Sequence, residues 1–157
     1  VIEMYYMMFV QIQNDINWQN QTRDLSYAEL YQADLFAADL SYADLSYAYM
    51  DSANLGYADL SGANLTGATL SGAYLRYADL TGADLTDAYL TNAELSYAEL
   101  YQADLFAADL TGAYLYYADL TGADLTDADL TAVYWYDTTC PDGTNSDDNG
   151  NTCVNNL

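Results

Sequence analysis

Leucine stands at every fifth position from Leu25 to Leu130, with Met50 the one interruption. Alanine stands two residues before each of them from Leu30 on, unbroken from Ala28 to Ala128, and Val133 and Trp135 close the series. The residue between is usually acidic, as in Ala33-Asp34-Leu35 and Ala123-Asp124-Leu125. A period of five fits neither common element. On an α-helix each step of five turns the side chain by about 140°, so the leucines wind round every face. On a strand an odd step sends alternate leucines to opposite faces. The chain must therefore turn once per repeat, so that every leucine points at one axis. That describes a solenoid, whose units bury their apolar face only against their neighbours.

The outer positions give the size of a coil. Tyr57, Tyr77, Tyr97 and Tyr117 each lie two residues after a leucine and are spaced by 20. Tyrosines just before the leucine position fall at 49 and 89, and at 74, 114 and 134, which suggests four repeats per turn. The A[DN]LXX pattern over Arg23–Tyr136 resembles the pentapeptide repeat family. That resemblance implies an all-β solenoid, a right-handed quadrilateral β-helix with leucine and alanine inside and the other three positions outside. The repeats would then make about 5.5 coils, a rod about 26 Å long at the ~4.8 Å spacing of stacked strands. Contacts lie mostly between consecutive coils, so no separate catalytic cleft is expected, and the two open ends need caps. Residues 26–40 recur unchanged at 96–110, as slippage of a repetitive gene would produce.

Three segments follow: an arm or cap over residues 1–22, the repeats over 23–136, and a tail over 137–157. The arm opens VIEMYYMMFV, in which Ile2, Met4, Tyr5, Tyr6, Met7 and Phe9 are apolar and Glu3 is the one charge. Ten such residues are too few to span a bilayer as a helix. The run also lacks the basic start and small-residue cleavage site of a signal peptide. With no initiator methionine, a processed mature chain is expected. The arm either caps the first coil or docks onto a neighbouring subunit, since an open solenoid end presents unpaired backbone groups.

The tail holds the only cysteines, Cys140 and Cys153. Without histidine they make a poor zinc site. A disulfide closing the Gly/Asn/Asp-rich loop is the better reading, and it implies an oxidising location: extracellular, at the cell surface or periplasmic. The TTCPDGTNS…TC tail also resembles one that follows the repeats in some exported bacterial members of the family. Asn145-x-Asp147-x-Asn149-Gly150 matches the opening of an EF-hand calcium loop, but Asn156 stands where a bidentate glutamate is needed. Asx-turns account for the same residues. No cofactor is expected, with calcium at Asn145, Asp147 and Asn149 the one candidate.

Charge narrows the function. The chain carries 24 acidic residues against two basic ones, Arg23 and Arg76, with no lysine or histidine and a net charge of −22. Ser-His-Asp triads, Schiff bases and phosphate-gripping lysines are excluded. Nucleic acid is repelled. The 52% of hydrophobic residues separates the chain from disordered acidic sequences. Sorting by faces of 20 puts Asp24, Asp44, Asn64, Asp84, Asp104 and Asp124 in one stripe. Asp39, Asp59, Asp79, Glu99 and Asp119 form a second. All acidic residues before a leucine position together give roughly one charge per 1.7 Å of rod, the axial density of duplex DNA. By resemblance, this suits a family role in which some members mimic DNA and protect type II topoisomerases.

A third face carries Tyr57, Tyr77, Tyr97 and Tyr117, with Tyr74, Tyr114, Tyr134, Tyr116 and Tyr136 nearby. Such a ladder stabilises stacked strands by itself, or it packs against another protein. Asn20-Gln21-Thr22 and Asn64-Leu65-Thr66 match the glycosylation sequon. The favoured function is a non-catalytic, secreted structural or scaffold protein. It is expected to form a homo-oligomer or fibre through its arm, its solenoid ends or its tyrosine face. The alternative is a DNA mimic that binds a type II topoisomerase. A protein partner is expected at the acidic or tyrosine face, with no nucleic acid and no membrane span. An enzyme is disfavoured, because a working carboxylate pair needs a cleft and unequal environments.

Overall fold

A pentapeptide has five backbone N–H groups, and a packed rod needs an acceptor for each. The computed structural model, which describes residues 23–154, shows one solution repeated along the chain. In the repeat Ala83–Asp87, the Ala83 N–H closes a turn on the Leu80 carbonyl at 3.0 Å. The Asp84 N–H reaches back one coil to Ala63 at 2.9 Å, and Leu85 and Asp87 reach forward to Asp104 and Phe106 at 2.7 and 3.0 Å. The fifth, Thr86 N–H, donates to the Asp84 carboxylate at 3.0 Å. Four donors are met by backbone and one by the side chain that precedes the leucine.

The turn is a type II turn, with positive φ at its second central residue. Glycine is not required there. Tyr27, Ala107 and Tyr77 take φ of 58°, 55° and 62°, although a non-glycine residue in this region costs roughly 1–2 kcal/mol. The N–H of each of these three is bonded to the next coil, which holds it in place. Gly67 meets a further demand: a Cβ there would lie 2.6 Å from the Tyr47 ring.

Four turns separate residues that pair across coils. Parallel bridges join i to i+20, from Asp24–Asp44 to Asp119–Thr139. The result is a quadrilateral β-helix. Its first side carries the Asp24–Asp124 row, its second Glu29, Tyr49, Thr69, Tyr89, Asp109 and Asp129. The third carries Asp34, Asn54, Tyr74, Glu94, Tyr114 and Tyr134, and the fourth Asp39, Asp59, Asp79, Glu99, Asp119 and Thr139. Leucine and alanine fill the bore, and Met50 fits its leucine station without exposure.

The ladder runs past Tyr136, where the change of residue type marks a boundary in the sequence. Trp135 and Cys140 take leucine stations and Thr138 an alanine station, all buried. The Thr138 hydroxyl is satisfied at the Leu115 carbonyl, 2.6 Å away. Size, more than polarity, decides what fits the bore. The chain then reverses: Thr139 pairs antiparallel with Asn145, Cys140 N–H donates to Thr144, and Ser146 N–H donates to Thr138. A short 3-10 helix, Ser146–Asn149, follows. Thr144–Ser146 thus occupies the fourth-side place of a coil that the repeats do not supply.

At the other end Arg23 occupies an alanine station. Its guanidinium donates to the carbonyls of Ser41 and Asp39 at 3.0 and 3.3 Å. Elsewhere in the rod the equivalent oxygens accept from the preceding coil. Arg23 also grips the Asp39 carboxylate through both nitrogens, at 2.8 and 3.2 Å. No helix among the described residues is long and apolar enough to cross a membrane.

Leu80, mid-rod and 1% exposed, tests the packing. Leu80→Ala is expected to lower unfolding stability by ~2–5 kcal/mol in urea denaturation.

Candidate functional site: two acidic rows and a tyrosine column

Carboxylates stacked at bridged positions repel, yet the rod sets them in rows. Asp84, Asp104 and Asp124 are bridged in succession on the first side, and Asp59, Asp79, Glu99 and Asp119 on the fourth. Asp24 and Asp44 extend the first row, and Asp39 the other. The two sides adjoin, so both acidic stripes of the sequence lie across one corner.

The reason is the fifth N–H. Where the residue before the leucine is Asp or Asn, its side-chain oxygen accepts from the amide two residues on, as in Asp44 to Ser46 at 3.1 Å and Asp104 to Phe106 at 3.0 Å. Where that residue carries a hydroxyl it often donates too, at 2.6 Å from Ser61 to Asp59 and from Thr121 to Asp119. These are Asx-turns. Asn64 makes the same turn without charge, and its amide nitrogen donates to Asp44 at 3.2 Å. The nitrogen that glycosylation would modify is engaged inside the row.

Hydrogen bonds from the Ser26 hydroxyl and amide hold Asp24 below the usual carboxylate range. Thr126 does the same for Asp124. Asp109 is lowered by Thr111 first, with a smaller contribution from Thr91. Asp39 is lowered further, chiefly by Arg23 and then by Ser41. Arg23 is raised in turn, mainly by its bond to Asp39.

The third face is aromatic. Tyr57, Tyr77, Tyr97 and Tyr117 form one column, with ring centroids 4.7, 4.8 and 4.7 Å apart and planes within 19°. Phe36 abuts the column at Tyr57, and Tyr136 abuts it at Tyr117, both edge-on. Tyr114 and Tyr134 stack beside it at 4.7 Å, with Tyr116 edge-on to both. Tyr57 and Tyr74 are more than half exposed. Loss of water around the Tyr117 hydroxyl and the neighbouring Tyr136 raise its pKa.

Arg76 lies against this column, 5.2 and 5.1 Å from the centroids of Tyr77 and Tyr97. Those centroids are themselves 4.8 Å apart, so the guanidinium is nearly equidistant from two stacked rings. A hydrogen bond with Tyr77 is the main reason its pKa is raised.

In the tail, Cys140 and Cys153 are joined, with Cα atoms 5.3 Å apart. The calcium candidates make internal bonds. Asn145 caps the 3-10 helix by accepting from Asp147 N–H at 2.9 Å, and its amide donates to Asp137 at 2.7 Å. The Asp147 carboxylate accepts from Asp137 N–H, and the Asn149 amide donates to Thr144 and to the Asn145 carbonyl. Among the described residues no three His, Cys, Asp or Glu side chains converge as a metal site. Ile2, Met4, Tyr5, Tyr6, Met7 and Phe9 lie outside the described residues.

The rod is a solenoid with acidic rows and a tyrosine column on its flanks, and comparison places it in a family. A family model described as pentapeptide repeats matches residues 33–72, 68–106 and 107–131, in 8 copies. The chain belongs to the pentapeptide repeat family, whose members form right-handed quadrilateral β-helices. Proteins of this family generally act as structural or binding proteins. A pentapeptide repeat protein from the cyanobacterium Cyanothece 51142 is 35% identical over 54% of this chain and 58% of its own, with a TM-score of 0.54. A second, from the Arabidopsis thaliana thylakoid lumen, is 39% identical over 59% of this chain and 68% of its own, with a TM-score of 0.50. The matched part thus spans little more than half of the cyanobacterial protein's length. No curated protein matches.

Two outcomes separate charge from hydrogen bonding in the rows. Asp84→Asn keeps the acceptor for Thr86 and removes a like charge, so urea denaturation at low salt should show equal or greater stability. Asp84→Ala should cost about 1 kcal/mol, because the Thr86 N–H loses its partner.

Asp24, Asp39, Asp109 and Asp124 bind protons less readily folded than unfolded. Their contribution is therefore full above the ordinary carboxylate pKa of about 4 and is lost as pH falls through their lowered folded values. The melting temperature followed by circular dichroism should fall below about pH 4.

Proposed function

We propose that the protein is a non-catalytic scaffold that acts by surface contact, associates with itself, and works in an oxidising compartment outside the cytoplasm. The exposed aromatic face carries this reading. Tyr57, Tyr74, Tyr134 and Tyr136 are each about half exposed on one flank of the rod, and tyrosine is enriched in the cores of protein interfaces. The disulfide supports the compartment. Cys140 sits in a core station and ties down the tail that covers the fourth side, an arrangement that a reducing cytoplasm does not sustain.

The acidic rows favour a second reading, a protein that presents the charge of duplex DNA to a DNA-binding partner such as a type II topoisomerase. Their two sides adjoin and their carboxylates face solvent. The same carboxylates build the Asx-turns, however, so the density comes with the fold and the scaffold reading ranks first.

Native mass by light scattering, with negative-stain images at moderate salt, tests the first reading. Oligomers or fibres are expected, and monomers at every concentration would sink self-association. Alkylation of native material should find Cys140 and Cys153 blocked; free thiols would remove the compartment. Inhibition of topoisomerase supercoiling by a strictly monomeric protein would transfer the reading to DNA mimicry.

A further inference from the structure

The end of the rod that carries the tail is closed on one side and open on two. Among the described residues, the N–H groups of Leu125, Asp127, Leu130 and Ala132 meet no carbonyl. One coil earlier the equivalent donors are all taken: Leu105 by Asp124, Ala107 by Thr126, Leu110 by Asp129 and Gly112 by Thr131. The core is thin at the same place. Ala128, Leu130 and Val133 are only partly buried, whereas Ala108, Leu110 and Ala113 are fully so. Unpaired donors run along the first and second sides, half-covered apolar side chains along the second and third, and the two coincide on the second side at Ala128–Leu130.

A second rod cannot stack squarely on this end, because Thr144–Ser146 already fills the fourth-side place of the next layer. What fits is one extended segment laid along two sides, with apolar residues five apart for two consecutive stations. The chain supplies such a segment. Ile2, Met7 and Ile12 are spaced by five in the apolar run at the start of the sequence. The 22 residues before Arg23 can extend to about 70 Å. They leave from the rod's other end, so copies joined in this way run head to tail.

We propose that the open edge at Leu125–Ala132 takes the N-terminal segment of a second copy as an added strand. This rests on the self-association reading and specifies its contact. The backbone of the incoming segment accepts from the four free N–H groups, as in other strand additions to a sheet edge. One of its apolar side chains covers Ala128 and Leu130, the half-covered core residues of the second side. Each copy offers one segment and one edge at opposite ends, so the contact is heterologous and does not close, and the product is a linear chain of rods. The rim residues Asp124, Asp127 and Asp129 bring no cation to the joint. Association therefore strengthens as salt screens the −22 net charge.

Two full-length variants test it. Met7→Asp blocks the segment, and Leu130→Glu blocks the edge. Each alone should be monomeric by light scattering where the unaltered protein assembles, with an unchanged circular dichroism spectrum. Mixed together they should form a one-to-one heterodimer and stop there, since one intact segment and one intact edge remain. Ala128→Arg gives a second edge variant should Leu130→Glu fail to fold. Assembly that survives both substitutions would overturn the proposal and leave the scaffold reading standing. A monomeric unaltered protein would overturn both. Variants that stay monomeric when mixed, beside an unaltered protein that assembles, would exclude exchange of the segment between copies.

Discussion

Every backbone N–H in a pentapeptide rod needs an acceptor, and the backbone itself supplies only four of five. The turn takes one, and the coils above and below take three. The fifth is met by the oxygen of the residue before the leucine, and from that requirement the surface follows. Where Asp or Asn takes that station, as along most of the first and fourth sides, the coils stack those stations in register, and the molecule acquires rows of like charge as a consequence of closing its turns. The repulsion is real, but it is spread over an exposed surface in high dielectric, while the hydrogen bonds are local and repeated. Asn54 and Asn64 show how the conflict can be eased, since each keeps the turn and turns its amide toward the aspartate one coil earlier.

The same register governs the tyrosines. A corner residue recurs every coil at the ladder spacing, and that spacing is close to the distance at which aromatic rings stack. Tyrosine at four successive levels of one corner therefore forms a column without further design. The left-handed backbone that each of these tyrosines adopts is an expense, offset by its ladder bond and its ring contacts. Arg76 adds a cation against two of the rings. The face is rigid because its geometry is that of the ladder beneath it.

Much of this was legible in the sequence, because the period is strict and the core stations admit few residue types. Five-residue spacing excluded helix and strand, and twenty-residue spacing of tyrosines gave the four sides and the column. Other features depended on contacts that spacing does not reveal. Aspartate before leucine read as charge, when its Oδ1 is also a backbone acceptor. Arg23 entered only as one of two basic residues, although its alanine station was a sign of its work on the Ser41 and Asp39 carbonyls. Trp135, Thr138 and Cys140 keep the period but change the chemistry, so the tail read as starting one side too early. The reversal that pairs Thr139 with Asn145 has no local signature. Residues 145, 147 and 149 match the opening of a calcium loop only weakly and read better as turns, and their side chains are engaged within the tail.

The central claim is that backbone pairing between coils in a twenty-residue register builds the rod and stops short at Leu125–Ala132. Amide hydrogen exchange, resolved by residue on monomeric protein, measures it directly. The account predicts slow exchange at Leu105, Ala107, Leu110 and Gly112 and fast exchange at Leu125, Asp127, Leu130 and Ala132. It further predicts that amides bonded to carboxylates, such as those of Ser26 and Thr126, lose protection first as the solution is acidified. Equal protection of both sets of donors in a monomer would contradict it.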